Sequence, residues 1–285
     1  MALFNFCCRR LLLPFTWTPE AVMRVPFVAA WIVGASMLLS PWLSGCALDG
    51  PPNEGEGEGE GEKLPGSCDA AVDVPCRDDV FSSLSMSLDE VAVDALTNEP
   101  DGNGFATLVD ARSNGAFASG PWVYARFSAT GLEQLPLLDD DSLNSLDWDI
   151  AFQRFTIRLN SGFGGPSCVT AARTGVNTDF DTLDAVPTGL TFNDEEFMSD
   201  NGDDSCTIIP DGSGQGSPGV VLQSWWTYPG CVATTGNVFV ISLQDGRQVK
   251  LLVTQYYGQG QELCNDGTRG ESQSALVRIR WAFLG

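Results

Sequence analysis

The chain has 285 residues, 37 of them acidic, 15 basic and none histidine, for a net charge of −22. So acidic a balance argues against nucleic acid or anionic headgroups as partners, because phosphate contacts need clustered Lys and Arg. Without histidine the usual catalytic triads and metal sites are gone, and with Lys63 and Lys250 as the only lysines the chain does not read as an enzyme.

The first predicted element is the apolar run Val25–Leu43, which carries no charge after Arg24 and ends in Ser44-Gly45-Cys46. Its length suffices to span a bilayer, so an uncleaved anchor is one reading. The small residues before Cys46 and the polar stretch after it favour another, since Leu43-Ser44-Gly45-Cys46 resembles the lipobox of bacterial lipoproteins. That resemblance implies cleavage before Cys46, triacylation at Cys46 and anchoring of an exported protein, with multiple acyl chains giving a stable hold. Ala47 in place of Asp points to the outer membrane or cell surface. Residues 1–22, with Cys7, Cys8, Arg9 and Arg10 before Leu11-Leu12-Leu13, make an unusually long leader, and a start at Met23 gives a signal of ordinary length.

The chain thus divides into a signal, 1–45, and a lipidated cysteine with an acidic linker, 46–66. An N-terminal extension of the ectodomain, 67–119, and a β domain, 120–285, follow. Alternating Glu and Gly from Glu54 to Glu62 cannot bury apolar surface, and a flexible linker of this length reaches about 25 Å. Cleavage removes Glu20, Arg9, Arg10 and Arg24, so 36 acidic and 12 basic residues remain, a charge of −24. This fits a solvated acidic coat. Six cysteines lie beyond Cys46: Cys68, Cys76, Cys168, Cys206, Cys231 and Cys264. Their even number and dispersal predict disulfides in an oxidising compartment, with Cys68–Cys76 the first expected pair because its loop is short. A zinc site has no C-x-x-C pair and no histidine to support it.

Asn98 to Gly104 reads as a loop, and strands follow at Trp122–Ser128, Trp148–Gln153 and Phe155–Leu159, with a turn at Asp139–Ser142. Phe192–Ser217 reads as acidic, Gly-rich loop. Within it, Asn193–Glu196 and Asp200–Asp204 contain oxygen ligands suited to Ca²⁺, but their spacing is that of no EF-hand and reads as solvated surface. Further strands are predicted at Val220–Tyr228, Val238–Leu243, Gln248–Tyr257 and Ala275–Phe283, with Asp245-Gly246 as a hairpin turn. The fold class is therefore all-β with antiparallel sheets.

The segment Asp147-Trp148-Asp149-Ile150-Ala151-Phe152-Gln153-Arg154-Phe155, with Ile157-Arg158-Leu159-Asn160-Ser161-Gly162 after it, resembles the HmuY family of haem-binding bacterial lipoproteins. Its W-D-x-A strand, R-x-N segment and glycine-rich loop stand in order. Val186-Pro187-Thr188-Gly189 matches a V-P-x-x-G segment, Trp226-Thr227-Tyr228 a W-x-Y element, and Val238–Leu251 the final hairpin. The resemblance covers roughly 120–285 and implies a single HmuY-like domain. It also implies haem or another tetrapyrrole as ligand. The bis-histidine ligation of the best-known members is excluded here, which leaves Met198 with Met86 or Tyr228 as conceivable iron ligands. Trp225, Trp226 and Tyr228 can flank a flat ligand or simply pack across strands. Two functions follow: capture of a small hydrophobic ligand, or a surface interaction protein that keeps the fold alone.

Overall fold

Antiparallel pairing of short apolar strands organises the chain. The computed structural model describes residues 68, 70–112, 120–202 and 205–285. Internal packing divides the chain into Met1–Glu56 and Gly57–Gly285, and every described residue lies in the second unit. The lipobox, Cys46, Met23 and the Glu/Gly tract lie outside the described residues. Helix α1 (Arg77–Ser83) precedes β1 (Leu96–Asp101), β2 (Gly104–Asp110), β3 (Val123–Ser128) and β4 (Gly131–Leu135). A single turn of helix, α2 (Asp139–Ser142), leads into β5 (Ile150–Gln153), β6 (Thr156–Leu159) and β7 (Thr170–Arg173). Two minor hairpins follow: β8 (Met198–Asp200) with β9 (Cys206–Ile208), and β10 (Trp226–Thr227) with β11 (Ala233–Thr234). The chain closes with β12 (Val238–Ser242), β13 (Gln248–Gln259), helix α3 (Gln261–Asn265) and β14 (Ser272–Phe283).

The larger sheet runs β1-β2-β14-β13-β12-β7 and the smaller β4-β3-β5-β6, with antiparallel neighbours throughout. Period-2 alternation sorts their side chains into layers. Val123, Ala125 and Phe127 of β3 join Phe239 and Ile241 of β12 in the main core, together with residues of β2, β13 and β14. Trp122 and Tyr124 point the other way, into a second cluster with Val80 of α1, Leu84 just after it, Met86, Trp148, Phe197 and Met198. On the outer side of the larger sheet, Val238 and Val240 meet Phe180 and Leu183. Having both faces covered explains why Val238–Ile241 is an unbroken apolar run.

The edges of the two sheets are joined by side-chain amides. Asn98 Nδ2 donates to Leu132 O at 3.0 Å, and its Oδ1 accepts from Leu132 N–H at 3.0 Å. Gln134 answers in reverse, accepting from Ala95 N–H at 2.8 Å and donating to Ala92 O at 2.7 Å. An amide offers one donor and one acceptor in the manner of a strand, so β1 and β4 seal each other's edges. Asn98→Leu should cost about 1–3 kcal/mol, the penalty for stranding these partners, read as a lower urea midpoint at unchanged slope.

Several local expectations are corrected. Asn98–Gly104 is not a loop but β1 and a two-residue turn, in which Gly102 takes φ +61° and Asp101 pairs with Gly104. Val220–Tyr228 forms a 3₁₀ turn at Gln223–Trp225 and only two residues of strand, its Val221 N–H being taken by the Glu195 carboxylate instead of a ladder partner. Phe192–Ser217 contains β8 and β9. All six cysteines pair, as Cys68–Cys168, Cys76–Cys206 and Cys231–Cys264, so the expected Cys68–Cys76 bridge is wrong. Loop-closure entropy rises only logarithmically with length, too slowly to outweigh where the fold holds each cysteine. The segment expected as an N-terminal extension supplies β1 and β2 to the large sheet and is tied down by two of these bridges.

Candidate functional site: an aromatic face beside a strained hairpin tip

Trp148, Asp149, Arg158 and Asn160 of the motif are buried and bond to each other's surroundings. Trp148 Nε1 donates to Ser142 O at 3.0 Å, and Asp149 Oδ2 accepts from Phe127 N–H at 2.9 Å. Asn160 Nδ2 donates to Trp148 O at 2.8 Å while its Oδ1 accepts from Ser167 N–H at 3.1 Å. Arg158, wholly buried, lies 4.7 Å from the ring centroids of both Trp122 and Trp148 and 5.3 Å from that of Tyr124. Its guanidinium donates to Gly164 O, and to Tyr124 Oη at 2.7 Å. A side chain at Gly165 would place its Cβ 2.8 Å from the Trp148 ring, which is why the loop is glycine-rich. These residues specify the fold and offer no surface to a ligand.

The four proposed ligand residues fall into two places. Met86 and Met198 share the second cluster, 8% and 4% exposed, so their thioethers are enclosed by packing. Trp226 belongs to the main core, and Tyr228 stands beside it, 42% exposed, with the two rings edge-on at 6.4 Å. Met198 and Tyr228 are therefore not neighbours in packing. Glu195, expected in a solvated acidic loop, is instead wholly buried, and among the described residues no group of three or more acidic or cysteine side chains is placed to hold a metal.

Tyr228 is the outer end of a continuous aromatic cluster. Phe155 lies 4.8 Å from Trp226 and 6.3 Å from Tyr256; Trp225 lies 6.2 Å from each of Trp226 and Tyr256; and Tyr256 meets Tyr257 at 4.9 Å. Consecutive residues of a regular strand face opposite ways, yet Tyr256 and Tyr257 share this cluster. The ladder between β13 and β14 slips at Gln255/Tyr257, and such a bulge re-aims a side chain. The bridge Cys231–Cys264 fastens α3 beside this face, where Tyr257 Oη accepts from Val232 N–H at 3.0 Å. Burial pushes the phenols of Tyr256 and Tyr257 upward, with the charge of Arg154 acting oppositely on Tyr256.

Arg154 and Phe155 form the two-residue tip between β5 and β6, with Gln153 paired to Thr156. Arg154 adopts φ +54°, a left-handed conformation unusual for a residue with a side chain, and its guanidinium lies 5.6 Å from the Phe155 ring centroid. Sequence reasoning missed this site because Gln153-Arg154-Phe155 contains none of the residues that announce a turn. Arg154 and Phe155 also line a cleft of about 160 Å³ with Ser85, Trp122, Gln215 and Ser217.

The model of the HmuY protein family matches residues 118–269, more than half of the chain. The chain belongs to the HmuY family. No curated protein matches it. Among solved structures it resembles a Bacteroides vulgatus protein described as HmuY-like and haem-binding, at 18% identity over 64% of this chain and 93% of that one, TM-score 0.40. A Bacteroides fragilis protein described as a lipoprotein matches at 13% identity, covering 66% and 95%, TM-score 0.36. The apo HmuY analogue of Tannerella forsythia matches at 16%, covering 69% and 100%, TM-score 0.35. The HmuY match spans the Trp148–Gly162 motif, yet β1, β2 and β14 lie wholly outside it and complete its larger sheet. Among the described residues no helix is long and apolar enough to cross a membrane.

Proposed function

We propose that this HmuY-family chain is an exported lipoprotein, anchored through Cys46, that captures a planar apolar ligand on the aromatic face at Phe155 and Tyr228, with the buried Trp226 behind them. The observation that carries the reading is the open edge of that face, where a 42% exposed tyrosine stands on a continuous cluster of rings. A tetrapyrrole is the first ligand class, supported by the family and by the haem-binding description of the Bacteroides vulgatus relative. With no histidine and both mature methionines enclosed, Tyr228 is the protein donor best placed to meet an iron. Binding requires no catalytic group, and none is assigned.

A second reading, a surface interaction protein that keeps the fold alone, is favoured by the same enclosure of Met86 and Met198. Titration of the purified full chain in detergent with haemin separates the two. Capture should shift the Soret band and quench tryptophan fluorescence, and Tyr228→Ala should weaken binding at least tenfold. An unchanged spectrum in both ferric and ferrous states would leave only the interaction reading.

A further inference from the structure

We propose that the cleft lined by Arg154 is a carboxylate subsite, so that the chain selects planar ligands by an acidic arm and independently of any metal. The inference rests on the capture reading and adds to it which ligands are chosen. Three observations converge on the cleft. Its volume of about 160 Å³ is too small for a ring system, given that sites enclosing whole ligands usually exceed about 300 Å³, but it suits a short polar arm. Its wall is Phe155, whose ring contacts Trp226 at 4.8 Å, so a ring resting on the aromatic face has this cleft at its margin. Its charge is Arg154, in a chain whose mature net charge is −24, where a fixed cation is uncommon.

Backbone conformation singles out the same place. Arg154 at φ +54° and Ser85 at φ +49° both line the cleft, two residues with side chains held in a region that glycine usually fills. Strain of this kind persists where the surrounding structure imposes it and collects at ligand sites. It sets Arg154 at the hairpin tip with its guanidinium over Phe155, beside Tyr256, and Ser85, Thr156 and Ser217 line the same cleft. Guanidinium is the side-chain group best matched to carboxylate, through paired parallel N–H donors. Nothing in this recognition involves a metal.

The test compares the full chain in detergent against iron-free protoporphyrin IX, its dimethyl ester and haemin, by fluorescence quenching and absorbance. The free acid should bind at least tenfold more tightly than the ester, and haemin about as tightly as the iron-free acid. Arg154→Gln should bring acid and ester within about twofold by weakening the acid alone, and Arg154→Lys should restore part of the difference. Equal binding of acid and ester by the unaltered chain, or an equal loss of both in Arg154→Gln, overturns the subsite while leaving capture intact. Binding of haemin without either iron-free compound also overturns it. Failure of all three ligands removes the capture reading and the subsite together.

Discussion

Replacing Arg158 with alanine should destabilise the protein by about 3–5 kcal/mol, the range found when a buried charge network loses one member. The guanidinium fills the slot between Trp122 and Trp148, so its removal leaves a void between two indoles. It also strands a buried chain of hydrogen bonds. Arg158 donates to Tyr124 Oη, and Tyr124 in turn donates to Asp139 Oδ1 at 2.9 Å. Asp139 holds Ser87 N–H at 2.6 Å and Trp122 N–H at 3.1 Å, tying the segment after α1 to β3. Arg158→Lys is the sharper variant. A single ammonium cannot stack between the rings and reach both Gly164 O and Tyr124 Oη, so charge alone should not rescue it. Urea denaturation should place Arg158→Lys about 2 kcal/mol or more below the unaltered chain; a loss under about 0.5 kcal/mol would show that the planar fork is dispensable.

Stability should be higher near pH 5 than at pH 8, and Glu195 should account for much of the difference. Its carboxylate accepts from Leu159 N–H at 2.8 Å and Val221 N–H at 2.9 Å, buckling the 218–222 segment onto the outer edge of β6. Burial pushes it up to about 7, opposed by those two hydrogen bonds and by Arg158, while Asp194 adds to the rise. Burial likewise takes Asp149 to about 6. A carboxyl raised in the folded state binds more protons there than in the unfolded chain. Its contribution is therefore complete below the unfolded value of 4.5 and is lost as pH rises through about 7. For Glu195 alone the span corresponds to an upper figure of about 3 kcal/mol. The ion-paired carboxyls of Asp110, Glu133 and Asp181 are held low and act oppositely, but only below the ordinary carboxylate range and at exposed positions. Denaturation of Glu195→Gln at both pH values should show a lower midpoint at pH 5, because an amide oxygen replaces two acceptors, together with a flatter dependence on pH. A variant as pH-dependent as the parent would assign the effect elsewhere.

How much of this was legible in sequence depended on range. The strands at 123–128, 156–159, 238–242 and 248–259 lie where periodicity and the Asp245-Gly246 turn place them, since both signals are carried within a few residues. Within the Trp148–Gly162 motif, Trp148, Asp149, Arg158 and Asn160 identified the family but face the interior, while the half-buried Arg154 and Phe155 of the proposed site carry no signal of their own. Met86 and Met198 were attractive as donors on chemistry alone, and only packing shows them enclosed. Arg154 carried no turn signal: its left-handed backbone is imposed by the pairing of β5 with β6 and by the bond from its own N–H to Ala111 O at 2.9 Å. Glu195 sat in an acidic run that composition reads as surface, and its burial follows from covering a strand edge that no local pattern reveals.

By itself the sequence determined an acidic, histidine-free, antiparallel β protein of the HmuY type with six cysteines beyond Cys46. Only the tertiary structure decided which cysteines meet. Partners 100, 130 and 33 residues apart come within 6.2, 5.9 and 6.0 Å between Cα atoms. The same tertiary packing brings Phe155, Trp226 and Tyr256 from three distant segments onto one face, with Arg154 at its margin. The physical reason is common to both. A strand's period is written in adjacent residues, whereas the partner it meets is fixed by the register of sheets closing over a shared core.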